Sequence, residues 1–411
     1  MAIIKAFQCV RPKVELANRV AALPYDVYNR KEAKEVASKD GLSFLNIDRP
    51  ETQFEDDMDM YSETVYQKAR QMYDERLADG TFIKDTQKCY YIYELTMEGR
   101  SQTGIVACAS IDDYVNNVIM KHENTREEKE RDRIRHVDTM NAQTGPIFLA
   151  YRSNAVIRSV VEAKKQEPTL YAFTAEDGIM HRVWKLSEKE GIAIIEEEFL
   201  NTSQIYIADG HHRAASAVKV GLNRRFESVH YTGLEEFNSF LSVLFPEDQL
   251  MIMPYNRVVK DLNGLTKDEF FHKISESFDV ISCQDPVSPT KKCTFGMYLE
   301  GQWYELQAKK ELCSITDPVK SLDVSILQDY LLEPVLGIND PRVDSRIDFI
   351  GGIRGLSELE KRVSSDCKVA FSMYPTSIQE LFAVADAKKL MPPKSTWFEP
   401  KLRSGLFIHE I

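Results

Sequence analysis

Apolar and polar positions along this chain fall into blocks with two different periods. Short runs rich in β-branched and aromatic residues, at 89–95, 104–110, 145–151, 169–174, 180–185 and 205–208, predict buried strands. The first two pair as a hairpin through residues 98–101. Helical spacing extends over 155–164, 189–199 and 54–78, where Met58, Tyr61, Val65, Ala69 and Met72 make a core stripe. Residues 43–48 alternate like a strand, and 237–244 reads as a buried helix or strand. A heavily charged helix is predicted over 126–141. Thr125 and Glu128 have capping-box spacing, Glu127 and Arg131 stand four apart in the favourable order, and the mixed charge reads as a solvated face.

After Pro246 the pattern changes. An extended stretch at 251–259, a helix at 267–278, a hairpin at 293–299 and 302–306, a helix at 322–331, a strand at 369–373 and an amphipathic helix at 378–390 follow. The predicted domains are 1–245 and 246–411, of α/β or α+β class, with a mixed sheet in the first and a second lobe in the other. Residues 391–405 hold three prolines and stay irregular, yet Trp397, Phe398, Leu406 and Phe407 require burial, so the tail packs back onto the body.

The run Ile205-Tyr-Ile-Ala-Asp-Gly-His-His-Arg-Ala-Ala-Ser-Ala217 concentrates the chemistry. A short apolar strand breaks at Asp209-Gly210, a helix is predicted from Ala214 to Val220, and Gly221 is a C-terminal stop. A strand, tight turn and helix start aim free N–H groups and a positive dipole end at the turn, where an anion such as phosphate fits. The plainer alternative is a pair of surface histidines beside an N-capping Asp209. Lys121-His122-Glu123 follow an apolar strand end, a place where sites are built. Asp26, in Leu23-Pro-Tyr-Asp-Val-Tyr28, is either a ligand carboxylate or a cap for a helix over 30–39. In the tail, Lys394, Ser395, Thr396, Lys401 and Arg403 supply donors.

Composition narrows the partners. A net charge of −12 argues against non-specific binding to nucleic acid or an anionic membrane. No apolar run approaches the ~18 residues of a membrane span, and the start lacks a signal-peptide layout. Seven cysteines, odd in number and without a C-x-x-C pair, predict reduced thiols and a cytoplasmic protein.

Four motifs carry a resemblance: Pro24-Tyr-Asp-Val27, Lys121-His-Glu-Asn-Thr125, Asp209-Gly-His-His-Arg213 and Met391-Pro-Pro-Lys-Ser-Thr396. On these, in this order, the chain is similar to the DUF1015 family over nearly its full length, and the Asp209 turn resembles that of the ParB/sulfiredoxin superfamily. The resemblance implies a ParB/sulfiredoxin-like nucleotide-binding core. Sulfiredoxins carry a cysteine where this chain has His211, which removes the nucleophile for sulfinic-acid repair. ParB-type proteins pair a Gly-Glu-Arg-Arg type turn with a basic DNA-binding domain, which the acidic charge here does not match. Free-serine kinases share the Asp-Gly-His-His-Arg turn itself, and transfer a phosphoryl group from a nucleotide to the hydroxyl of L-serine.

That resemblance implies ATP or ADP with Mg²⁺, and a small acceptor such as L-serine. Phosphoryl transfer needs phosphate clamps, a divalent cation and a carboxylate base. Gly210, His211, His212 and Arg213 are the candidate clamps. Asp209 is a candidate Mg²⁺ ligand or turn anchor, and Glu123 or Asp26 the candidate base. Lys121, His122 and Lys394 are candidates to neutralise developing charge, with Ser395 and Thr396 as further donors. The competing readings are a ParB-like nucleotide switch or scaffold without a small acceptor, and a zinc or iron site of His122, His211 and His212.

Overall fold

The computed structural model describes residues 1–125 and 127–411. The chain forms two compact units, one of Met1–Leu250 with Pro400–Ile411 and the other of Met251–Glu399. The class is mixed α/β.

The first unit is built on a nine-stranded mixed sheet. Its strands are β1 (Ile4–Lys5), β2 (Tyr90–Met97), β3 (Arg100–Ser110), β4 (Ile119–Met120), β5 (Ile147–Tyr151), β6 (Tyr171–Thr174), β7 (Met180–Leu186), β8 (Ile205–Asp209) and β9 (Ser239–Pro246). They run in the order β4-β8-β5-β9-β3-β2-β7-β6, with β1 on β3. β4 pairs parallel with β8, and β5 parallel with β9; the other pairs are antiparallel. Two helices matter most, α1 (Glu127–Met140) and α2 (His211–Glu227). Ala214, Ala217 and Val218 of α2 pack on Leu149, Ile207, Phe240 and Leu244, so the short alanine side chains let the helix sit close to the sheet. A second cluster gathers Val20, Phe44, Leu45, Ile47, Tyr73, Phe82 and Met140 with Ile408 of the returning tail.

The second unit holds a six-stranded antiparallel sheet of β10 (Tyr255–Val259), β11 (Phe278–Cys283), β12 (Thr294–Leu299), β13 (Gln302–Ala308), β14 (Ile347–Gly351) and β15 (Val369–Ser372). Its order is β11-β13-β12-β15-β10-β14. Leu359, from the helix Leu356–Ser365, packs with Val258, Trp303, Ile350 and Ala370.

Several local expectations change. Residues 43–48 do not form a strand; Leu45–Asp48 is one helical turn, because the Asn46 amide donates to the carbonyls of Asp40 and Ser43 and closes it. The helix expected over 54–78 begins only at Glu63, leaving Met58 and Tyr61 outside it. Residues 239–246 are a strand. Gly221 does not stop α2, which continues to Glu227; it lies where a Cβ would come within 2.3 Å of the Phe237 carbonyl oxygen. The helix Arg30–Lys39 is capped by Asn29 in a capping box with Glu32, not by Asp26. At α1, Arg126 lies outside the described residues, and the Thr125 hydroxyl donates to Glu130 at 2.6 Å. Nor is α1 wholly solvated. Glu130, Arg133, His136 and Met140, spaced by three and four, turn one face of it inward.

Candidate functional site

Adjacent parallel strands bring two distant motifs together. Ile205 registers with Ile119 and Tyr206 with Met120, so β4 and β8 end side by side, one delivering Lys121-His122-Glu123 and the other Asp209-Gly210-His211. The carboxyl ends of parallel strands are where an α/β sheet presents ligand sites. The imidazoles of His122 and His211 meet edge to face with centroids 4.4 Å apart. His211 Nδ1 lies 3.8 Å from a Glu123 carboxylate oxygen.

The turn depends on Gly210, at φ +93°, ψ 32°, a left-handed conformation in which a Cβ costs about 1–2 kcal/mol. A Cβ there would also press on the Arg213 guanidinium at 3.1–3.2 Å. Helix α2 starts immediately after it, so its first-turn N–H groups point out of the helix end toward the turn. Asp209 anchors the turn. One carboxylate oxygen accepts from Gly210 N–H at 2.8 Å and the other from Lys401 Nζ at 2.9 Å. Burial opposes its ionisation, but the charges of Lys401 and Arg213 outweigh this and hold its pKa well below the usual carboxylate range.

Arg213 donates through Nη1 to the Pro146 carbonyl at 2.8 Å, while its Nε is buried without a partner among the described residues. It lines a cavity of about 30 Å³, room for roughly one water, together with Tyr25, Asp48, Arg133, Thr144, Gly145 and Ser404. The Arg133 guanidinium stacks over the Tyr25 ring at 4.1 Å. Tyr25 and Arg133 also line an adjoining cavity of about 180 Å³, whose wall includes Asp26, Arg49, Glu51, Lys129 and Asp132. Burial and the Asp26 charge push the Tyr25 hydroxyl up to about 12, against the pull of Arg133 and Arg213. It therefore stays protonated near neutral pH.

Lys121 turns aside, its ammonium 4.2 Å from the centre of the Tyr114 ring, and burial lowers its pKa. Burial lowers His122 to about 4 and places His211 well below the ordinary value. Both are neutral at pH 7, so His122 does not supply the positive charge expected of it. His122 Nδ1 and His211 Nε2 are buried without a partner among the described residues. His212 is half-buried, and its carbonyl accepts from Ser216 at 2.7 Å. Lys394, Ser395 and Thr396 belong to the second unit. There Lys394 has φ +58° with its ammonium over the Tyr255 ring, and Ser395 donates to the Pro392 carbonyl at 2.6 Å.

Both Asp209 oxygens are engaged within the chain, an arrangement that fits the turn-anchor role. Among the described residues no group of three or more His, Cys, Asp or Glu is gathered for a metal ion. The motif reading names Lys401 as a donor of the tail without its partner Asp209, and leaves Arg133 within the solvated charge run. Lys401 is distant in sequence from Asp209. Arg133 sat in a charge run, and its only signal was its three-residue spacing from Glu130 and His136.

Buried histidines set an acid limit on stability. His122 falls to about 4 and His181 to about 3, and burial lowers His136 and His211 as well. From the usual 6.5 down to about 4, the unfolded chain binds protons that the folded one refuses, so stability falls as pH drops through that window. The urea midpoint is expected to be lower at pH 5 than at pH 7. An equal midpoint at both would show that these imidazoles are not held neutral.

The sequence profile of the family described as "Protein of unknown function (DUF1015)" matches residues 4–325. No curated protein matches the chain. Among solved structures, the chain is similar to a variant of a free serine kinase in complex with AMP, at 13% identity and TM-score 0.37, covering 77% of this chain and 93% of that one. A variant in complex with ADP gives 13% and 0.36, covering 73% and 92%. SbnI with a C-terminal truncation, from Staphylococcus aureus, gives 12% and 0.38, covering 73% and 87%. No helix among the described residues is long and apolar enough to cross a membrane.

Proposed function

This chain belongs to the DUF1015 family, and we propose that it is a nucleotide-dependent phosphotransferase that moves a phosphoryl group from ATP or ADP to a hydroxyl, L-serine being the leading acceptor. One observation carries the reading. Strand β8 turns through left-handed Gly210 into α2, so that the start of the helix and the Arg213 guanidinium, whose Nε is buried without a partner among the described residues, converge beside the two neutral imidazoles of His122 and His211. A helix start with a guanidinium fork is a phosphate site. The ParB/sulfiredoxin-like core and the serine acceptor rest on the resemblance of Asp209-Gly-His-His-Arg213 to the turn of free-serine kinases.

The residues then take distinct roles. Gly210 lets the backbone approach the phosphates, Arg213 forks two oxygens, and His211 and His212 offer N–H donors. Asp209, locked to Lys401, holds the turn, so Mg²⁺ arrives as part of the nucleotide substrate. Asp26, on the wall of the adjoining 180 Å³ cavity, serves as base. The acceptor oxygen bonds to the terminal phosphorus as the bridging P–O bond of the donor breaks. The hydroxyl proton passes to Asp26, and the nucleotide leaves one phosphate shorter. Lys129 on the same wall offers charge to an acceptor carboxylate.

Phosphorus NMR of the protein with Mg²⁺, ATP or ADP, and L-serine tests this directly. A phosphoserine signal that requires serine, and that Asp26→Asn removes without loss of nucleotide binding, is the expected result. Loss in Glu123→Gln instead would move the base to Glu123. Nucleotide loss indifferent to serine would replace the kinase by a hydrolysing switch.

A further inference from the structure

The first unit holds a further cavity, of about 460 Å³, that the proposed transfer does not use. Its size falls among small-molecule clefts, which run from roughly 300 to 1,000 Å³. It shares only Tyr28 with the cavity walled by Asp26, and no residue with the one lined by Arg213.

The most buried charged group on its wall is Arg403, 3% exposed. Its Nε donates to His181 Nε2 at 3.3 Å, and its Nη2 donates to Asp177. The other ring nitrogen of His181 meets the Tyr93 hydroxyl at 2.8 Å, which fixes the imidazole against the guanidinium. Nη1 is buried with no partner among the described residues. A buried N–H left open costs free energy until an acceptor arrives, and a carboxylate is the acceptor that a guanidinium binds best.

The other charges on the wall define the rest of the ligand. Arg19 and Asp40 satisfy one another, through bonds of 2.8 and 3.0 Å. Lys39 and Glu176 have no ion-pair partner among the described residues. Arg19, Lys39 and Arg403 are thus matched by Asp40, Glu176 and Asp177, and the wall holds no net charge. A simple carboxylate drawn to Arg403 would meet the uncompensated Glu176, next in sequence to Asp177; a simple amine would meet Arg403. A zwitterion suits both. The Tyr28 hydroxyl stands within the field of both ends: burial raises its pKa, Arg403 lowers it, and Asp177 and Glu176 raise it. Leu23, Val36 and Leu45 make part of the same wall apolar.

We propose that this cavity binds a free α-amino acid with an apolar side chain, its carboxylate on Arg403 Nη1, its ammonium at Glu176 and its side chain on Leu23, Val36 and Leu45.

Calorimetric titration of the full chain with L-leucine, in the absence of nucleotide, is the test. Leucine offers no hydroxyl to phosphorylate, so the result is read apart from phosphoryl transfer. Saturable one-site binding is expected. Isocaproate, which lacks the ammonium, and L-leucinamide, which lacks the carboxylate, should each bind about tenfold more weakly or worse. Glu176→Gln, at an exposed side chain, should weaken leucine about tenfold and abolish its advantage over isocaproate. Arg403→Lys should weaken leucine and isocaproate alike. Lys129→Ala, on the wall of the cavity that holds Asp26, should leave leucine binding intact. Absence of saturable leucine binding, analogues that bind as well as leucine, or binding lost in Lys129→Ala and kept in Arg403→Lys would overturn the proposal.

Discussion

Arg213→Ala is expected to lower phosphoryl transfer by about 10²–10³-fold with little loss of fold, because it removes the one guanidinium that reaches from α2 across the turn. The charge is preorganised. Nη1 is held by the Pro146 carbonyl, Nε is enclosed, and the head packs so closely over Gly210 that a Cβ there would lie 3.1 Å from Nη2. A donor fixed in this way does not reorganise when charge builds on the transferred group. Loss of the Pro146 bond costs stability only about 1 kcal/mol. Arg213→Lys should not rescue transfer, since an ammonium cannot keep the Pro146 bond and also fork two phosphate oxygens. Single-turnover kinetics and calorimetric nucleotide titration, beside a urea melt, separate the outcomes. Full turnover in Arg213→Ala would show that the turn is not the site, and a collapsed melt would make Arg213 a structural residue.

The largest effect on stability is expected at Gly405→Ala, about 3–4 kcal/mol. Gly405 has φ +83°, where an L side chain costs about 1–2 kcal/mol. Its Cβ would lie 2.4–2.6 Å from the Phe44 side chain. Phe44 cannot yield, being wholly buried and packed on Phe82 at 6.0 Å, and overpacking of this kind adds about 1–3 kcal/mol. The backbone around it is also pinned, Ser404 N–H donating to the Ala22 carbonyl at 2.9 Å and Gly405 N–H to that of Thr144 at 3.1 Å. The same segment carries Lys401 to Asp209, so nucleotide affinity should fall together with the urea midpoint. A variant with wild-type stability would mean that the tail has room to move.

The strand-forming runs, the helices at 155–164 and 189–199 and the Asp209 turn were legible because each is encoded locally: β-branched apolar blocks, helical spacing, and a glycine between a strand and an alanine-rich helix. Local pattern misled where a contact with residues beyond the window decided the matter. The Asn46 amide reaches the Asp40 carbonyl and closes a helical turn in an alternating stretch, and Gly221 leaves room for the Phe237 carbonyl inside a helix that a glycine was expected to end. Arg133 looked like one more solvated charge until its face of α1 turned inward onto Tyr25.

What the sequence determined by itself is the chemistry of the turn: Asp209, Gly210, two histidines and Arg213 are consecutive, so no folding could separate them. What only the tertiary structure decided is the company they keep. The parallel pairing of β4 with β8 brings His122 and Glu123 to His211. The returning tail delivers Lys401 to Asp209, and α1 sets Arg133 between two cavities. Strand register and chain return are set by burial summed over many residues remote in sequence, and a local motif carries no record of that sum.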